Sequence, residues 1–155
     1  AEPNPRLLEF ARGGGTLVVQ YQQYEIMGPG MTPFPLRLGR PAARVTEEDA
    51  PVRILRPDAP VLAAPNRIGS EDFAGWVQER ALYMPSEADA HYTRPLAMAD
   101  PGMEPNEGAL LVAPLGEGTY VYTTLSLFRQ LPAGVPGAAR IAVNLLSVGT
   151  GRVVP

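Results

Sequence analysis

The spacing of apolar residues changes several times along this chain, and each change predicts an element. In "PRLLEFARGGG", Leu7, Leu8 and Phe10 fall near one helical face between Pro5 and the glycines. With Asn4 placed to cap and Pro5 at the first helical position, this predicts a helix of about two turns stopped by Gly13, Gly14 and Gly15. "TLVVQY" then drops the helical period for a continuous apolar run, the pattern of a strand buried on both faces in a parallel sheet. Residues 22–41 contain "MGPGMTPFPLRLGRP", too rich in Pro and Gly for regular structure, and predict a long loop of the kind that often carries function.

Beyond the loop, "ARVTEEDAPVRIL" and "APVLAAPNRI" predict short extended pieces broken by Pro51, Pro57, Pro60 and Pro65, and "SEDF" a helical turn capped by Ser70. Strands are predicted in "RALYMP", "PLAMAD", "GALLVAPLG" and "GTYVYTTL". The last two are joined across Gly116–Gly118 as antiparallel neighbours. Ile141, Leu145 and Val148 recur at helical spacing between Pro136 and Gly149, which predicts a closing helix, and residues 150–155 read as a tail. The alternation of helix and strand predicts one α/β domain over residues 1–149, with a mainly parallel sheet and an antiparallel edge. Its first element is a helix feeding a parallel strand with no strand before it, so the sheet is expected to lack N-terminal strands. The expected protein partners are accordingly an upstream domain of the same polypeptide or a self-associating copy.

Composition narrows the function classes. A chain of 155 residues, 45% apolar and 19% charged, has the size and content of one folded unit rather than a disordered tail. Its basic residues are all arginines, scattered along a chain of net charge −3, which argues against a nucleic-acid-binding face. No apolar run reaches the roughly 20 residues that cross a bilayer, and the N-terminus lacks the basic and apolar regions of a signal peptide. Without cysteine there is no disulfide, thiolate chemistry or Cys-ligated metal. With His91 the sole histidine, any metal would rest on carboxylates, and no cofactor is expected.

The wording of three stretches carries a resemblance. "NPRLLEFARGGGTLVVQY", "APVLAAPNRIGSEDFAGWVQERALYMPSE" and "GALLVAPLGEGTYVYTTLSLFRQLPAGVPGAARIAVNLLS" together resemble the class I glutamine amidotransferase-like domain attached to large bacterial deacetylases of the PIG-L (LmbE-like) family. "GWVQER" and "FRQLPAGVPGA" are the most specific parts, and the layout is more loosely similar to ThuA-like proteins. The resemblance implies a three-layer, flavodoxin-like α/β fold that in its relatives begins with further strand and helix units. It also implies that the turn after "TLVVQ" is the nucleophile elbow, with Tyr21 where active relatives carry cysteine. A phenol with a pKa near 10 and no base at hand cannot form a thioester, so glutaminase activity is not expected. The zinc-binding motif of the deacetylase domain has no counterpart here. The resemblance therefore implies an accessory module that binds a glycan or packs on a catalytic domain.

Several constellations compete for a functional role. Gln20, Tyr21, Gln22 and Tyr24 lie at the C-terminal end of a parallel strand, where open α/β sheets place ligands; they either bind a polyol or anchor their own loop. Trp76, Gln78, Glu79 and Arg80 in "WVQER" suit sugar stacking or an interface, or else Trp76 fills the core while Glu79 and Arg80 form an ion pair or hold the long loop. Arg129 follows a strand end and offers a planar fork to a carboxylate, or caps carbonyls beside Phe128. Glu87, Asp89 and His91 could serve acid–base chemistry or a weak divalent-cation site, or form a solvated acidic loop. An alternative function is therefore a small hydrolase using Glu79, Glu87 or His91 near Tyr21, and another is a purely structural interaction domain.

Overall fold

The glycine-terminated helix and the strand after it form as their patterns require, but with a shifted apolar face. In the computed structural model, which describes residues 5–149, helix α1 spans Pro5–Arg12. The expected Asn4 cap and the tail lie outside the described residues. Leu8 and Ala11 are the buried pair of α1, whereas Leu7 and Phe10 are 48% and 60% exposed. Gly13 N–H donates to the Glu9 carbonyl at 2.9 Å, and Gly14, at φ 111, turns the chain into strand β1, Thr16–Gln20.

Later in the chain come β6, Leu110–Leu115, and β7, Gly118–Thr123, an antiparallel hairpin as expected. Its two-residue turn carries Gly116 at φ 58, the conformation that a type II′ turn needs at its first central position. Strand β1 pairs parallel with β7 from Thr16↔Thr119 to Gln20↔Thr123, giving a sheet of order β1-β7-β6. Alternation along these strands divides the apolar side chains between two cores. Leu17, Val19, Leu111, Tyr120 and Tyr122 share one with Leu8 and Ala11. Val18, Leu110, Val112 and Val121 share the other with Ile141 and Leu145 of helix α4, Pro136–Ser147. Helix α4 thus forms where Ile141, Leu145 and Val148 predict it, and Gly149 at φ 85 ends it.

Strand β1 itself is half-buried rather than enclosed, because β7 is its one strand neighbour among the described residues. The fold is α/β with a mixed sheet and β6 as its antiparallel edge. Parallel pairing is less extensive than expected, since the remaining ladders are antiparallel.

Two smaller ladders lie outside this sheet. Strand β2, Leu36–Val45, pairs antiparallel with β4, Ala81–Ala88, and β3, Val52–Ile54, with β5, Leu96–Met98. The predicted loop over residues 22–41 therefore ends earlier than expected. Leu36 and Leu38 are buried and Arg37 exposed, so strand alternation prevails over the nearby prolines. The register passes from Leu38↔Pro85 to Ala43↔Met84, so residues 39–42 arch out of the ladder, and Pro41 sits where no ladder hydrogen bond is needed. "APVLAAPNRI" is not extended either: Pro60 opens a single helical turn, α2, Pro60–Ala63, which buries Val61 and Leu62. Ser70 lies inside a 3₁₀ turn, Ser70–Phe73, rather than capping it; the Asp72 carboxylate accepts the Gly69 N–H at 2.9 Å instead. A further turn, α3, Leu127–Gln130, follows β7. Among the described residues no helix is long and apolar enough to cross a membrane.

Candidate functional site

Three non-glycine residues among those described have positive φ: Tyr21 at 45°, Gln78 at 65° and Tyr83 at 53°. Left-handed backbone costs an L-residue roughly 1–2 kcal/mol, and such outliers gather where function over-determines the structure. Two of the three place tyrosine rings against each other. Tyr21 leaves the end of β1 with its N–H on the Thr123 carbonyl at 3.2 Å. Its ring meets Tyr83 edge-on, centroids 6.0 Å apart, and Phe128 of α3 at 4.8 Å. Tyr83 in turn meets Tyr24 at 5.6 Å and 86°. Tyr24 is pinned by the β2 arch: its hydroxyl accepts the Ala42 N–H at 3.0 Å, and the Arg40 guanidinium stacks 4.0 Å from its ring centroid.

The result is a row of rings, Tyr24–Tyr83–Tyr21–Phe128, with Arg40 at one end and Arg129 at the other, 5.1 Å from the Phe128 ring. The three tyrosines are half-buried and Phe128 is exposed, so the row is reachable from solvent. The Tyr21 and Tyr83 hydroxyls have no hydrogen-bond partner among the described residues.

Tyr24 and Tyr83 also line an open groove of about 1050 Å³ between the β2 arch and the segment 98–107. One end of that segment is fastened by Asp100, whose carboxylate accepts the Thr46 N–H at 2.8 Å and the Glu47 N–H at 2.9 Å. Partial desolvation pushes the Asp100 carboxyl upward, but the hydrogen bonds from Glu47 and Thr46, with the Arg44 charge, outweigh it and hold its pKa below the ordinary value. Behind the row, Glu79 pairs with Arg129, and the buried Gln130 side chain bonds Val77 N–H at 2.8 Å and Val77 carbonyl at 2.9 Å. These bonds fix the 77–80 segment against the end of β7.

The remaining sequence-derived site residues scatter. Gln20 and Gln22 lie beside Tyr21, but the Gln22 amide donates back to the Gln20 carbonyl at 3.2 Å, so the turn anchors itself. Trp76 is not a sugar platform: it is 2% exposed, packs on Phe73 and donates its indole N–H to the Asp72 carbonyl at 2.9 Å. Arg80 is likewise no ligand contact. It is buried, donating to the Ala50 carbonyl at 3.0 Å and to the Phe73 carbonyl, and burial lowers its pKa against the opposing Asp49 charge. Its expected pairing with Glu79 is replaced by the Glu79–Arg129 pair. Gln78 is exposed, and its backbone N–H donates to Glu48 Oε1 at 2.8 Å.

Glu87 and His91 do not join the row. Exposed Glu87 stands opposite Arg37 on β4, four residues from Tyr83, or about 13 Å at the usual strand rise. His91 stacks on Phe34 at 4.0 Å and bonds Asp89 through Nδ1 at 2.5 Å. Glu79, Glu87 and His91 thus have different neighbours: Arg129, Arg37 across the strands, and Asp89 with Phe34. Among the described residues, no three His, Asp or Glu side chains converge to hold a metal ion. The row's members that the sequence left unmarked are Tyr83 and Arg40. Their signal is conformational, a left-handed strand residue and an arch, and neither is written in composition. The chain matches no protein-family model and no curated protein.

Proposed function

We propose that the chain is a non-catalytic, glycan-binding accessory module, a class I glutamine amidotransferase-like domain of the kind attached to PIG-L-type deacetylases. The observation that carries the reading is Tyr21, held at φ 45 at the end of a parallel strand and joined there to a solvent-reachable row of rings. The resemblance puts the nucleophile elbow at this position, and a strained turn is what an elbow requires; here it presents a phenol for binding. The half-buried rings give apolar area, and the hydroxyls of Tyr21 and Tyr83, without partners among the described residues, give polar tips, the combination by which aromatic side chains hold sugar rings. Helices α1 and α4 covering opposite faces of the sheet support the three-layer arrangement.

Titration calorimetry with short neutral oligosaccharides, such as N-acetylglucosamine trimer and galactotriose, tests this reading. Binding that falls at least tenfold in Tyr21→Ala, in a variant that still melts cooperatively, supports it. Binding unchanged in that variant removes the row from recognition.

A second reading, packing on another domain, draws on the edge of β1 that has no strand partner among the described residues and the exposed Leu7, Phe10, Val143 and Leu146 of the flanking helices. The partner would be an upstream domain of the same polypeptide or a second copy. Concentration-dependent sedimentation that disappears in Leu146→Glu would favour it.

A further inference from the structure

The two guanidiniums that end the aromatic row are not equivalent. Arg129 is neutralised by Glu79. Arg40 is exposed, stacked 4.0 Å over Tyr24, and has no carboxylate partner among the described residues. Most other charges along the adjoining groove have local partners: Arg94 faces Glu107 at 4.0 Å, and Asp100 takes the Thr46 and Glu47 N–H groups with Arg44 beside it. Glu104, on the segment across the groove, is exposed. Among the described residues, Arg40 is therefore the cation at the aromatic platform without a carboxylate partner, on the arch whose Ala42 N–H also fixes Tyr24. An exposed guanidinium held over a ring still has N–H groups to offer a bidentate oxyanion.

We infer that the glycan taken by this row is acidic, with one sugar ring against Tyr24 and Tyr83 and its carboxylate or sulfate on Arg40. The inference rests on the glycan-binding reading above. The chain carries a net charge of −3, so long-range attraction would not draw an acidic ligand. The preference must come from Arg40 at contact distance. The groove, about 1050 Å³ in volume, has room for more than one ring and is just larger than the usual ligand site.

The test is calorimetry of the full chain with trigalacturonate, with a sulfated carrageenan tetrasaccharide that carries no carboxylate, and with neutral galactotriose. An acidic probe is expected to bind at least tenfold more tightly than galactotriose at low salt. Arg40→Gln should abolish the preference, bringing acidic and neutral probes to the same affinity, and leave the melting temperature nearly unchanged. Which acidic probe gains identifies carboxylate or sulfate as the group read. Equal binding of acidic and neutral sugars, or a preference that survives Arg40→Gln, overturns the inference and leaves the glycan reading standing. No binding of any of the three at millimolar concentration overturns both.

Discussion

Replacing Tyr83 by alanine and, separately, by glycine isolates the strain at the centre of the aromatic row. Both changes remove the edge-to-face contacts with Tyr21 at 6.0 Å and Tyr24 at 5.6 Å, worth about 0.5–1.5 kcal/mol each. Both also remove the buried part of the ring, so each variant should be less stable than the parent. They differ in backbone. In an ordinary strand glycine is less stable than alanine by about 0.5–1 kcal/mol. At φ 53 alanine still carries the left-handed penalty of roughly 1–2 kcal/mol, and glycine does not. The usual order should therefore invert, with Tyr83→Gly more stable than Tyr83→Ala by about 1 kcal/mol. For a domain of this size that is a difference of about 2–4 °C in melting temperature. Urea unfolding of the two variants, read at equal m-values, measures it directly. Tyr83→Ala equal to or more stable than Tyr83→Gly would show that the residue is not held in the left-handed region, and the claim that strain builds the row would fall.

Other perturbations test the supports. Gln78→Gly, at φ 65 with an exposed side chain, should stabilise by about 1 kcal/mol in the same unfolding assay, since the backbone bond to Glu48 is kept. Trp76→Ala should cost about 3–5 kcal/mol through the cavity it leaves, while Trp76→Phe, if folded, should bind sugar as the parent does. Gln130→Leu leaves the partly buried Val77 N–H and carbonyl without their side-chain partner and should cost about 1 kcal/mol per bond lost, which a denaturant melt would register. Asp100 has a folded pKa below its unfolded value near 3.9, so its contribution is present above that pH and lost as pH falls through the folded pKa. Asp100→Asn should flatten the acid limb of a stability–pH curve. Tyr92 is raised to about 12, chiefly by burial, so its contribution is full below pH 10 and lost as pH rises through about 12. Tyr92→Phe should resist alkaline unfolding better than the parent.

Much of the fold was legible because its signals are local. The glycine stop after α1, the β6–β7 hairpin and the Ile141–Leu145–Val148 face of α4 each follow from a few neighbouring residues. Strand β2 was obscured because Pro and Gly counts favour a loop, whereas Leu36 and Leu38 form a strand once β4 lies beside them. Helix α2 was obscured in the same way, since prolines that break strands also open helical turns. The site was half legible: Tyr21 and Tyr24 stood out at a strand end. Tyr83 did not, since its place in the row depends on a positive φ and on pairing with distant residues. Trp76 and Arg80 look like binding residues in sequence because "WVQER" is polar around the aromatic. Their depth is set by Phe73, Ala50 and the core beneath them, which the local sequence does not encode.

The most direct test of the central claim is an NMR titration of aromatic ring signals with trigalacturonate and galactotriose. Saturable shifts confined to Tyr21, Tyr24, Tyr83 and Phe128, with the buried Tyr120 and Tyr122 unmoved, are the result the account predicts. Unmoved row signals at millimolar sugar, or shifts centred on other residues, would contradict it.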